Sequence, residues 1–175
     1  MVRKGVLLLG LLLFALSGFC SDGVSVMNFI FRAADNAGKE IYNEEGTISY
    51  RDNKFRIELE DQMLVVSDGR ALWVYREQSD DILILEAGLG SFDADNLESA
   101  IRKLVSVFGY AGTGDDRVDI KRDAKNRPAE VTFFSAGKSY YKVIIKSVAE
   151  NVTADDKIFT FSLRDYPDAV VTDLR

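Results

Sequence analysis

The chain contains no histidine. That removes the side chain most used as a general base near neutral pH and the commonest ligand of a catalytic metal. Its one cysteine is Cys20, inside an N-terminal segment that reads as a leader. If that cysteine leaves with the leader, no thiol is left for nucleophilic chemistry and no disulfide supports the fold, although an oxidising compartment would permit one. No serine sits in a Gly-x-Ser-x-Gly elbow. Gly112-Thr113-Gly114 follows a predicted helix rather than a strand, the wrong order for a phosphate-binding loop. Asp115, Asp116 and Asp119 lack the spacing of a calcium loop. The carboxylate pairs Glu44-Glu45 and Asp80-Asp81 fall in expected turns, and the sequon Asn151-Val152-Thr153 is of a kind frequent by chance. A basic excess is missing too: Lys+Arg number 22 against 28 Asp+Glu, a formal charge of −6. An acidic chain is a poor partner for nucleic acid or an anionic membrane surface, and its interspersed charges read as a solvated exterior. These absences predict a protein that is not an enzyme and holds no cofactor or metal.

One long apolar run is present, at the start. Arg3 and Lys4 precede Val6–Leu16, and Ser17-Gly18-Phe19-Cys20-Ser21 supplies small residues after it. Basic, then apolar, then small is the order of a secretory signal, and the run is short for a transmembrane helix. Residues 1–20 are expected to be that signal, and 21–175 a single domain. Cleavage after Cys20 or after Ser17 both fit, and Leu16–Cys20 stands where a lipobox would, with Phe19 in place of the usual small residue before the cysteine. Loss of Arg3 and Lys4 takes the charge to about −8. The expected product is exported, soluble and monomeric, without stable insertion in a membrane.

Most of the remaining chain has strand character. Val24–Arg32 is a first strand; Glu40–Tyr42 and Thr47–Arg51 form a second, interrupted near Asn43–Gly46; Asp81–Glu86 closes the first half. Between them lies Phe55–Tyr75. Phe55, Ile57 and Leu59 alternate with Arg56, Glu58 and Glu60, as on a strand with one wet face. Met63–Val66 and Ala71–Tyr75 are apolar on both faces, and Ser67-Asp68-Gly69-Arg70 joins them. Asp-Gly supplies the positive φ angles of a two-residue hairpin. Strands that stop alternating need cover on both sides, and the source of that cover is the functional question.

After glycine-containing Ala87–Asp95, Asp95-Asn96-Leu97-Glu98 reads as a capping box. Leu97, Ile101, Leu104, Val105 and Phe108 recur at helical spacing, which predicts one amphipathic helix over Asn96–Tyr110. Strand-like runs return at Arg117–Arg122, Ala129–Phe134, Ser139–Val148, Lys157–Leu163 and Ala169–Leu174. About eleven strands and one helix predict a mainly β fold, an unclosed antiparallel barrel whose mid-chain helix covers the concave face as a lid. The helix is short for so much two-sided strand. That mismatch predicts a hydrophobic cavity, or an interior filled by side chains as in small barrels. The candidate lining is Phe55, Ile57, Leu59, Met63, Val65, Leu72 and Trp73 from the strands, with Leu97, Ile101, Leu104 and Phe108 from the helix. A buried acyl chain gains about 0.8 kcal/mol per methylene, and Gly88, Gly90, Gly112 and Gly114 would allow the lid to hinge.

Several stretches resemble the LolA family of periplasmic outer-membrane lipoprotein carriers. Gly46-Thr47-Ile48-Ser49-Tyr50-Arg51 with Asn53-Lys54-Phe55-Arg56-Ile57 is similar to the family's second and third strands. Val66–Tyr75 is similar to its Ser-Asp-Gly hairpin with the following Leu-Trp and Tyr. Phe159-Thr160-Phe161, Asp165-Tyr166-Pro167 and Val171–Arg175 look like its closing pattern. The resemblance implies a LolA-like lipid-carrier domain that takes an acylated lipoprotein from an inner-membrane ABC exporter and delivers it to an outer-membrane acceptor. It also implies that Arg51 latches the lid to the barrel and that Phe55, four residues on, affects release. Two features depart from the family: the chain is in strand pattern by Val24, where members usually have a helix, and Tyr50-Arg51-Asp52 stands where they often have Lys-Arg-Pro. The same fold also serves envelope sensors and interaction modules that carry no lipoprotein.

Overall fold

The computed structural model describes residues 23–60, 63–87, 97–107, 117–134 and 139–175. They form one sheet of ten strands that does not close. β1 (Val24–Ala34), β2 (Glu40–Arg51), β3 (Lys54–Leu59), β4 (Met63–Ser67), β5 (Ala71–Arg76) and β6 (Asp81–Glu86) run as an antiparallel meander. β7 (Val118–Arg122), β8 (Pro128–Phe134) and β9 (Tyr140–Val152) form a second meander, which β9 joins to the first by pairing with β1. β10 (Val170–Asp173) is added to β6 in parallel, so β10 and β7 are the two edges. The helix α1 (Leu97–Val107) stands between the meanders in sequence. The predicted capping box, the glycine hinges, Phe108 and the leader with Cys20 lie outside the described residues.

The strand pattern follows side-chain alternation. Met27, Phe29, Phe31 and Ala33 of β1 are buried on the face that also carries Ile48 and Tyr50 of β2 and Phe55, Ile57 and Leu59 of β3. Intervening residues such as Asn28, Arg56 and Glu58 turn the other way. The first face is the inner one, because α1 packs on it: Ala100, Ile101, Leu104 and Val105 are buried in the same cluster. Their spacing places them on one side of the helix.

Three expectations are corrected. β2 runs unbroken through Asn43–Gly46. Gly46 is there because the site is tight: a Cβ would stand 2.7 Å from the Glu58 carbonyl oxygen and 2.8 Å from the Phe29 ring. The Asp68-Gly69 turn is wider than a two-residue hairpin, since pairing closes at Ser67 with Leu72. Gly69 takes a positive φ of 88°, while the Asp68 carboxylate accepts from the N–H groups of Arg70 and Ala71. The two-residue link is instead Asp52-Asn53, between paired Arg51 and Lys54, with Asp52 left-handed at φ 53°. Lastly, Lys157–Leu163 is not a strand. Two 3-10 turns, Asp156–Phe159 and Leu163–Asp165, carry the chain there, the first capped by the Asp155 carboxylate accepting from Lys157 N–H. That loss brings the strands among the described residues to ten.

Candidate ligand-binding interior

The inner face gathers most of the residues that the sequence nominates. Phe55, Ile57, Leu59, Val65 and Leu72 are buried together with Ile101 and Leu104, and Met63 and Leu97 pack partly buried against them. Trp73 is the exception and corrects the predicted lining. Its neighbours Leu72 and Val74 belong to the inner cluster, so alternation sends Trp73 to the outer face, where its ring stacks on Phe161 at 6.2 Å and 4°. Met27, Phe29, Phe31, Ile48, Val131, Phe133 and Val143 share the inner cluster and were not nominated. The signal for β1 is present in the sequence, because Met27, Phe29 and Phe31 are large and apolar at alternate positions while Asn28 and Arg32 interrupt the other set.

The outer face has a cover of its own, and it accounts for the two-sided apolar strands. After β9 the chain crosses the back of the sheet as a strap, residues 153–169, and reaches the far edge as β10. Val66, Ala71, Ile82 and Ile84 are buried without belonging to the inner cluster. Phe159 of the strap is 1% exposed, and the rings of Trp73, Phe161, Tyr166 and Tyr75 form a continuous series, with Phe161 on Tyr166 at 5.2 Å and Tyr75 against Tyr166 at 4.2 Å. Such contacts add about 0.5–1.5 kcal/mol each beyond the area they bury. A ligand is therefore not required to cover both faces of β4 and β5.

Arg51 belongs to this outer system. Its guanidinium salt-bridges Asp156 and lies 5.7 Å from the centre of the Phe159 ring, while Lys54 Nζ reaches the same carboxylate at 3.2 Å. These contacts tie the strap to the end of β2. Phe55, in the next strand, points the opposite way into the interior.

A cavity of about 950 Å3 opens at the end of the sheet where α1 begins. Leu97, Tyr50, Pro128, Ala129, Ile145 and Val148 supply its apolar wall, and Arg51, Asp52, Asp123, Arg127, Lys146 and Glu150 its charged surround. Burial pushes the Tyr50 hydroxyl above its ordinary pKa, with Glu150 acting in the same direction and the Ser25 hydrogen bond against it. The surround is largely self-compensated: Arg127 pairs with Asp123 at 2.9 Å and Lys146 with Glu45 at 2.8 Å. Ser25, Ser147 and Asn151 add to the lining, which presents more polar than apolar surface, so the cavity by itself selects no ligand class.

No protein-family model matches the chain, and no curated protein does. A crystal structure of an uncharacterized conserved protein from Thermus thermophilus is similar over 86% of this chain and 90% of that one, with a TM-score of 0.49 and 10% identity. A likeness that distant assigns no family.

Proposed function

We propose that this chain is a periplasmic carrier of outer-membrane lipoproteins, holding their acyl chains against the inner face of its open sheet. The observation behind this reading is the position of α1. It inserts Ile101 and Leu104, both fully buried, into an apolar face whose edges are not joined, and its first residue, Leu97, borders the cavity. A helix so placed fills the space an acyl chain would take and is displaced on loading. The sequence resemblance to lipoprotein carriers supplies the cargo, the inner-membrane ABC exporter and the outer-membrane acceptor. Native mass spectrometry of the exported protein tests the reading by looking for bound acylated ligand, and the same spectrum gives the processed N-terminus and the state of Cys20. Hydrogen exchange gives a second test: α1 amides lose protection when lipid is bound, and full protection in both states rejects the displaced-lid mechanism.

A second reading, an envelope sensor or interaction module, is favoured by one observation. Phe29, Phe31, Phe133, Ile101 and Leu104 are all fully buried in the inner face, as in a permanently packed core. Capture of a protein partner by lipid-free material, without acylated ligand in the native spectrum, would select it.

A further inference from the structure

The two edges of the sheet are defended differently. β7 carries Asp119, Lys121 and Arg122, with Arg117 just before it and ion pairs Arg117–Asp119 at 2.6 Å and Lys121–Glu130 at 2.9 Å. Charges of this kind keep an edge from pairing with another chain. β10 reads Val170-Val171-Thr172-Asp173 and is exposed throughout. Of the six large hydrophobic residues exposed among the described residues, four (Leu163, Val170, Val171 and Leu174) belong to the segment 163–175, with Val170 at 67% and Leu174 at 61%. Val170 N–H donates to the Asp80 carbonyl and Leu174 N–H to the Ile84 carbonyl, each at 2.9 Å. Even-numbered residues of β10 therefore turn their backbone groups to β6, and Val171 and Asp173 turn theirs outward.

We infer that β10 is a self-association edge and that its partner is β10 of a second copy of this chain, paired antiparallel about a two-fold axis at Thr172. Only residues with outward backbone groups can exchange ladder hydrogen bonds, which leaves three registers centred on this strand. Val171 opposite its own copy sets Leu174 against the acidic Asp168. Asp173 opposite its own copy sets two carboxylates face to face, which is destabilising. Val171 opposite Asp173 avoids both. It sets Thr172 against Thr172 in a close, non-hydrogen-bonded pair and Val170 against Leu174 on both sides of the axis. The two most exposed apolar side chains of the edge then cover each other. Each Asp173 keeps its own Arg175, 2.6 Å away, so the seam gathers no net charge. A seam this short buries less than the ~1,200–2,000 Å2 of a stable complex, so the dimer is reversible and the monomer expected from the sequence is its dilute form. The pairing leaves both faces of the sheet free and does not depend on what the interior holds.

Sedimentation velocity of the full chain over a wide concentration range tests this, with variants V170K, L174E and V170K/L174E. The wild type moves from monomer towards dimer as concentration rises, and each single variant stays monomeric at every concentration. The double variant dimerises again, because the lysine introduced at position 170 of each copy faces the glutamate introduced at position 174 of the other. A wild type that remains monomeric at millimolar concentration overturns the proposal. Dimerisation undiminished in the single variants, or not restored in the double variant, overturns it equally, because the contact then lies elsewhere or in another register.

Discussion

At the scale of single residues, Arg51 and Tyr50 are adjacent and do opposite work. Arg51 faces out and holds the strap through Asp156 and the Phe159 ring. Asp156 is more than half exposed, so solvent screens the pair, and its coupling belongs in the range of about 0.2–1 kcal/mol. A double-mutant cycle of Arg51→Ala and Asp156→Ala in urea unfolding reads that coupling directly. If Arg51 acts only on the strap, neither variant alters hydrogen exchange of the α1 amides; a latch on the lid would raise it. Tyr50 faces in and is 3% exposed. Its pKa in the folded chain lies above the ordinary value of 10.0, so the folded state holds the phenolic proton more tightly than the unfolded state does. The stability linked to this group is complete below the unfolded pKa and is lost as pH rises through the folded one. Urea midpoints are expected to fall as pH climbs past about 10, and to fall less steeply in Tyr50→Phe. Tyr166 shifts in the same direction, chiefly through burial, so the alkaline slope shrinks in that variant without vanishing.

At the scale of elements, α1 and the strap cover opposite faces of one sheet, and a perturbation of either should be readable separately. Leu104 is fully buried, so Leu104→Ala is expected to cost about 2–5 kcal/mol in urea unfolding. Phe159→Ala, at the anchor of the strap, should cost about 3–5 kcal/mol. Trp73 is the chain's single tryptophan and stacks on the strap, which makes its fluorescence a reporter of the outer face. Phe161→Ala is expected to shift Trp73 emission to the red, whereas an acyl ligand taken up under α1 should leave it nearly unchanged. A large shift on adding ligand would mean that the ligand binds beneath the strap.

At the scale of the whole molecule, the sheet and its helix were legible because each obeys one period. Alternation in β1 and β3, and the recurrence of Leu97, Ile101 and Leu104, needed no tertiary information. The strap was not legible, because Phe159, Phe161 and Leu163 alternate with Thr160 and Ser162 as a strand would, while the Asp155 cap and the burial of Phe159 turn the segment into 3-10 structure. The same ambiguity misplaced Trp73: in a run apolar on both faces, pattern cannot say which side is in. The need for two covers could be read from Met63–Val66 and Ala71–Tyr75, but the identity of the outer cover depended on long-range topology. That topology also governs assembly. β1 lies in the interior of the strand order, between β2 and β9, and Val24 pairs with Val152. The earliest strand therefore waits for nearly the last, so the central ladder is a high-contact-order step, of a class that folds in milliseconds to seconds rather than microseconds. A chain in which β9 has not yet docked has β1 with one flank unpaired, and its inner face cannot be completed until β9 is in place.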